Sequence, residues 1–290
     1  MAELLTDTRL WAVDKIILVY FAVASMLTVA FYAHIPGAGT LLALHAVAAT
    51  VLVLAVRRPA RWTGVFRRWY ALPYVGACYK EAAILIPAIG RPSADQWLAN
   101  IDFQFWGANP TVWIERWYWP PLTEYLQVVY SLFIPAVLLI PFLMWRRHQQ
   151  RDFQYYLFLI ALGFLASYVG YFLVPARGPR FLLADLQQAP LEGLWLFRPL
   201  QTMLDRLESA HYDCFPSGHV QMTVLAWWGS RLISRPLFRV YSVYTACIIV
   251  ATVYLRYHYT VDLLAGILTA AALIAVSPWL YRSLSSVPSH

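Results

Sequence analysis

Long apolar stretches lie near residues 11–33, 40–56, 69–89, 122–145, 153–175, 218–236, 239–256 and 258–281. Each approaches the roughly 20 residues needed to cross a hydrocarbon core about 30 Å thick. The pattern predicts an all-α fold, a polytopic membrane helical bundle of about six to eight transmembrane helices, with eight crossings as the central count. The stretch 69–89 differs from the rest because it carries Lys80 and Glu81 together with Pro73 and Pro87. Lipid-exposed charges are costly, so a bent or half-inserted helix is expected there.

Arginines punctuate the pattern. Arg57, Arg58, Arg61, Arg67 and Arg68 fall in one connection, Arg146, Arg147 and Arg151 in a second, and Arg231, Arg235 and Arg239 in or beside a third. With eight crossings all three lie on one side, which the positive-inside rule makes cytoplasmic. Both chain ends then face the cytoplasm, and the segments 90–121 and 176–218 face the opposite compartment. The first of these is crowded with Trp97, Trp106, Trp113, Trp117, Tyr118 and Trp119, as expected of interfacial helices on the non-cytoplasmic side. The whole chain, 1–290, reads as one membrane domain, in which 1–68 form an N-terminal two-helix hairpin and 69–283 a helical core.

Composition agrees with this picture. The chain is 60% hydrophobic and 13% charged, with a mean hydropathy of +0.55, against roughly a quarter charged in soluble domains. The formal charge of +7 comes mostly from arginines between apolar runs, so it reads as a topology signal and not as a nucleic-acid surface. The first apolar stretch is too long for a signal-peptide core and reads as a retained span. Cys78, Cys214 and Cys247 are too few and too scattered for a disulfide or metal framework, and Cys214 reads as a small packing residue.

Candidate chemistry gathers at the non-cytoplasmic rim in three places. Asp213-Cys214-Phe215-Pro216-Ser217-Gly218-His219 precedes the sixth apolar stretch, where Ser217 and Gly218 fall in a first helical turn whose N–H groups and dipole favour an anion. In Arg256-Tyr257-His258-Tyr259-Thr260-Val261-Asp262, His258 and Asp262 are four apart, one helical turn, close enough for the carboxylate to accept the Nδ1 proton. That contact would leave Nε2 as a nucleophile. In Pro175-Ala176-Arg177-Gly178-Pro179-Arg180, two arginines on a Gly/Pro-shaped loop can clamp phosphoryl oxygens through forked hydrogen bonds.

Phe215-Pro216-Ser217-Gly218-His219, followed some forty residues later by His258-x-x-x-Asp262-Leu-Leu-Ala-Gly, resembles the second and third signature motifs of the type-2 phosphatidic acid phosphatase superfamily. Asp102, Leu122-Thr123-Glu124, Tyr130 and the Gly178-Pro179-Arg180 turn look closer to the branch that includes inositol phosphorylceramide synthases. His258-Tyr259-Thr260-x-Asp262 is similar to a motif of sphingomyelin synthases, in which an acid precedes the motif histidine by six residues, as Asp213 does here. The resemblance covers roughly residues 70–275.

The resemblance implies a phosphohistidine mechanism without metal or other cofactor. His258 would attack phosphorus, Asp262 would hold its imidazolium, and His219 would protonate the departing oxygen. Two departures bear on phosphate binding. Lys80 precedes Arg91-Pro92 by eleven residues instead of the usual seven, about 16 Å along a helix, and Thr252 stands where the third motif usually has an arginine. The candidates are therefore Arg180 first, then Arg177, the N–H groups of Ser217 and Gly218, and Lys80 and Arg256. Asp213 and Glu124 are candidate accessory acids.

The sequence thus points to a lipid phosphatase acting on a phosphate monoester or diphosphate, in what the few lysines suggest is a bacterial inner membrane. A lipid phosphotransferase is the alternative, and the tryptophan-rich segment 95–121 would then supply an acceptor site in place of an anchor. Two further readings carry less: a zinc hydrolase built on His211, Asp213, His219 and His258, and a non-enzymatic transporter or lipid-binding protein. Partners are a lipid phosphate substrate and the membrane, with no nucleic acid, and the oligomeric state is left open.

Overall fold

A computed structural model describes residues 8–58, 61–207 and 212–285, so His211 lies outside the described residues. Fourteen α-helices are described, and among the described residues no strand forms. They are α1 (Ala12–Ala30), α2 (Ala38–Arg57), α3 (Arg61–Trp69), α4 (Ala71–Ile89), α5 (Asp95–Trp106), α6 (Pro110–Trp113) and α7 (Pro120–Ser131). The second half holds α8 (Phe133–Arg146), α9 (Gln150–Leu173), α10 (Pro179–Leu182), α11 (Phe197–Leu207), α12 (Gly218–Ser230), α13 (Arg235–Tyr254) and α14 (Thr260–Leu284).

Five helices, α1, α2, α9, α13 and α14, are long and apolar enough to cross a membrane, and the pair α7 and α8, bent by 43°, brings the count to six when taken as one broken span. The bend follows from Pro135, which lacks the N–H that would bond to the Ser131 carbonyl across the break. Every expected apolar stretch is helical, but two fall short of the count of eight. The stretch 218–236 yields only the 13-residue α12, about 20 Å long. It is buried in the bundle centre, with Val220, Met222, Leu225 and Ala226 fully covered. The stretch 69–89 yields α4, 19 residues long, whose Lys80 and Glu81 lower its apolarity below that of a lipid-facing span. Glu81 lies 2.8 Å from His45 of α2, both buried, while the Lys80 ammonium bonds to the Leu207 carbonyl at the end of α11.

The arginine-rich connections gather at one end of the bundle. There Arg67 pairs with Asp14 at 3.1 Å, Lys15 reaches the Leu284 carbonyl at 2.6 Å, and Arg147 donates to the Ile233 carbonyl at 2.6 Å. Trp69 and Trp145 stack edge-on across the same end. The opposite end holds α5, α6, α10, α11 and the turns before α12 and α14, with Trp97, Trp106, Trp113, Trp117, Trp119 and Trp195 exposed around it. The core between the two ends is continuous: Ile17 and Phe21 of α1 and Leu52 of α2 pack with Cys78 of α4 and Phe158 and Leu165 of α9.

Candidate active site

His258 and His219 meet at the tryptophan-rich end, with ring centroids 6.0 Å apart and planes inclined at 61°. His258 does not lie on a helix, as the four-residue spacing to Asp262 had suggested. It sits in the turn between α13 and α14, where Arg256 takes a left-handed φ of 66° and α14 begins only at Thr260. Asp262 is therefore the third residue of α14 and turns back to accept the N–H of Tyr259 at 2.9 Å, as an N-terminal carboxylate does.

The imidazole turns Nδ1 towards Asp262, as its spacing predicts, with a nearer acceptor that the spacing does not reveal. His258 Nδ1 lies 2.9 Å from the carbonyl oxygen of Cys214 and 3.5 Å from Asp262 Oδ2. A carbonyl can only accept, so the proton sits on Nδ1 and the Nε2 lone pair is left for chemistry. The carboxylate stands behind as a charge. Cys214, expected to be packing alone, donates its thiol to Asp262 Oδ2 at 2.9 Å. Burial, and then the adjacent Asp262 carboxylate, push that thiol well above its ordinary range, so it stays protonated near neutral pH.

Main-chain contacts splice the two motifs together. The Ser217 N–H donates to the Asp262 carbonyl at 3.0 Å, and the Ser217 hydroxyl caps α12 through the Val220 N–H at 3.3 Å. α12 begins at Gly218, so Ser217 is its cap and not a first-turn residue. Both polar groups of Ser217 are thus engaged in structure, which leaves the opening N–H groups of Gly218 and His219 to face an anion. Gly266, the glycine closing the third motif, allows this approach: a Cβ there would come within 2.7 Å of the Ser217 carbonyl oxygen.

His219 stacks on Tyr130, with centroids 4.3 Å apart, and meets the tilted ring of Phe133, also 4.3 Å away and inclined at 44°. Its Nδ1 lies 3.2 Å from the Tyr130 hydroxyl. Tyr130 stacks in turn on Tyr257 at 4.4 Å, and the Arg180 guanidinium lies over Tyr257 at 5.2 Å. Arg180 thereby joins the ring stack that leads to His219, and it pairs with Asp205 of α11 at 2.9 Å. Arg177 is exposed, with its guanidinium over Phe181 at 4.4 Å.

Other expected candidates are engaged elsewhere. Arg256 turns to Glu115 at 2.9 Å and to the Ala189 carbonyl. Glu124 accepts the N–H groups of Leu194, Trp195, Leu196 and Phe197, so it clasps the entry to α11 and is not an accessory acid. Asp213 accepts the Tyr79 hydroxyl at 2.6 Å, which ties the turn before α12 to α4. Of the four-residue zinc set His211 lies outside the described residues, Asp213 accepts from Tyr79, and His219 lies against Tyr130 and Phe133. The His, Cys and acidic residues that do converge, among those described, are Cys214, His258 and Asp262.

Two carboxylates of α5 set the rim. Asp95 accepts the N–H groups of Arg177 and Gly178, each at 2.8 Å, and the Tyr259 hydroxyl at 3.0 Å. Asp102 accepts from Thr260 N, Thr260 Oγ1 and Val261 N at 2.7, 2.7 and 2.9 Å, capping α14. Nothing local marks Asp95 for this task, since Arg177, Gly178 and Tyr259 lie more than 80 residues away. Gly178, with φ of 101°, presses so close to the Tyr257 carbonyl that a Cβ would come within 2.8 Å of it.

Residues 96–276 match the model of the PAP2 superfamily, a stretch that contains both histidines, Asp262, Asp102 and the arginine turn. Over 165 residues the chain is 29% identical to a PA-phosphatase related-family protein of Dictyostelium discoideum, an alignment covering 50% of this chain and 30% of that protein. No solved structure matches the chain at a comparable level. The family match extends over more than half of the chain and takes in the spliced motif pair, and the protein is a member of the PAP2 superfamily.

Proposed function

We propose that this protein is a membrane lipid phosphatase that hydrolyses a lipid phosphate monoester or diphosphate through a phosphohistidine intermediate. The observation that carries the reading is a pair of neighbouring imidazoles, each with its Nδ1 held by an oxygen of the protein, so that both Nε2 atoms can serve the substrate. The Cys214 carbonyl holds a proton on His258 Nδ1, so Nε2 can attack. With both ring nitrogens protonated, His219 donates Nδ1–H to the Tyr130 hydroxyl oxygen and gives its Nε2 proton to the leaving oxygen, ending as the neutral ring that later serves as base.

The steps balance as follows. His258 Nε2 bonds to phosphorus while the bond to the lipid oxygen breaks, and His219 protonates that oxygen. Asp262 offsets the positive charge on the phosphorylated ring. Water, deprotonated by His219, then displaces His258 and releases inorganic phosphate. With ring centroids 6.0 Å apart, the two imidazoles are near enough to act on one phosphoryl group. Arg180 and the opening N–H groups of α12 meet the non-bridging oxygens, and the phosphate takes Arg180 from Asp205 as it enters.

The arginine-rich end is read as cytoplasmic, with both termini there and the active site facing outward, in keeping with a bacterial inner membrane. A lipid phosphotransferase is the second reading. A groove of about 270 Å³ between α5 and the segment from Leu182 to Leu186 is lined by Gln96, Asn100 and Asn109 with Phe103, Leu182, Leu183 and Leu186. Such a mix suits an alcohol-bearing acceptor. Incubating the purified protein with a panel of lipid phosphates, and following both free phosphate and labelled lipid products, separates the two. Phosphate release that resists chelators and is blocked by vanadate supports the hydrolase; transfer to a lipid alcohol with little free phosphate replaces it with the transferase; no turnover of either kind removes both.

A further inference from the structure

The thiol of Cys214 has no part in the steps above, yet it completes a triangle of metal-binding atoms. Its Sγ lies 2.9 Å from Asp262 Oδ2 and 3.6 Å from His258 Nδ1, and Nδ1 lies 3.5 Å from Oδ2. All three side chains are at least nine-tenths buried. The other carboxylate oxygen, Asp262 Oδ1, is also buried and has no hydrogen-bond partner among the described residues. An unpartnered buried carboxylate oxygen is costly and marks a place for a ligand.

We propose that Cys214, His258 and Asp262 form a zinc site, and that zinc bound there switches the active centre off. The site is read from geometry alone; the inhibition rests on the phosphohistidine reading. Tetrahedral zinc holds sulfur at about 2.3 Å, imidazole nitrogen at about 2.0–2.1 Å and carboxylate oxygen at about 2.0–2.2 Å. Atoms so placed lie about 3.3–3.6 Å from one another. Two edges of the triangle, 3.6 Å and 3.5 Å, already match. The third, at 2.9 Å, is the thiol-to-carboxylate hydrogen bond, a contact that a bound zinc would replace. Asp262 Oδ1 or a water fills the fourth position.

One thiolate, one imidazole and one carboxylate are a set for zinc or cobalt. Magnesium and calcium prefer oxygen donors in greater number. Binding releases the thiol proton to solvent, and thiolate and carboxylate then balance the charge of the ion. It also takes the Nδ1 lone pair, so the imidazole proton moves from Nδ1 to Nε2. Nε2 then has no lone pair with which to attack phosphorus. The Cys214 carbonyl thus fixes the reactive tautomer, and an ion held by the Cys214 thiolate and Asp262 fixes the unreactive one.

The test uses the full chain in detergent, stripped with chelator and titrated with zinc, cobalt or magnesium alone. Zinc at micromolar concentration should bind at one ion per chain and lower phosphate release more than tenfold, with recovery on adding chelator. Magnesium should do neither. Cobalt should give the near-ultraviolet thiolate-to-metal absorption in the unmodified protein, a readout that no variant's folding can confuse. Cys214→Ser keeps a donor to Asp262 and should raise the zinc concentration for half-occupancy at least tenfold, with the cobalt band gone. Failure of the unmodified protein to bind zinc, or unchanged zinc binding and an unchanged cobalt band in Cys214→Ser, would overturn the site. If zinc binds as described while His258→Ala still turns over, the site stands and the catalytic reading falls. If His258→Ala is inert and zinc does not bind, the reverse holds.

Discussion

At the scale of single residues, the site depends on which nitrogen carries a proton. The Cys214 carbonyl fixes the tautomer of His258, while Asp262 adds charge from 3.5 Å. His258→Ala and His219→Ala should each reduce phosphate release to background while the protein still elutes from a sizing column as the parent does. Asp262→Asn keeps the cap on Tyr259 and leaves the carbonyl in place. Its loss should fall short of the roughly ten-thousandfold seen when a serine triad loses its orienting acid, and about a hundred- to a thousandfold is expected in kcat. A loss under tenfold would mean that the carboxylate does not stabilise the charged ring. The histidine pair and Asp262 were legible in the sequence because their types and spacing carry chemistry. The role of the Cys214 carbonyl was not, because a backbone acceptor leaves no trace in residue identity.

At the scale of elements, tight crossings hold the two motifs in register. A side chain at Gly178 meets both a left-handed φ and the Tyr257 carbonyl, so Gly178→Ala should destabilise the fold by about 1–3 kcal/mol, read as a lower thermal midpoint in detergent. Gly266→Ala should separate α14 from the cap of α12, and its defect should appear in kcat more than in KM. Asp205 of α11 occupies Arg180. Asp205→Asn should lower KM for a lipid phosphate severalfold and strengthen inhibition by inorganic phosphate; an unchanged KM would remove Arg180 from the phosphate site. Apolar stretches foretold where helices form, since burial or lipid demands continuous apolarity. They did not foretell that α12 is a short buried core helix, because an apolar run reads alike whether lipid or protein covers it. The clasps of Glu124, Asp95 and Asp102 were equally hidden, joining segments far apart in sequence by bonds to backbone N–H groups.

At the scale of the whole molecule, basic and aromatic residues sort to opposite ends of one bundle, and the histidine pair lies with the aromatic end. A membrane-impermeant maleimide applied to intact cells should label Trp195→Cys and spare Arg151→Cys; the opposite pattern would invert the proposed orientation. The central claim is that phosphorus passes through His258, and trapping that bond tests it most directly. In His219→Ala, an activated aryl phosphate needs no acid to leave, but the phosphoenzyme lacks its base. Rapid quench with radiolabelled substrate should then yield close to one phosphate per chain, alkali-stable and acid-labile, on the peptide containing His258. The same label in a His219→Ala/His258→Ala double variant, or undiminished turnover in His258→Ala, would contradict the account.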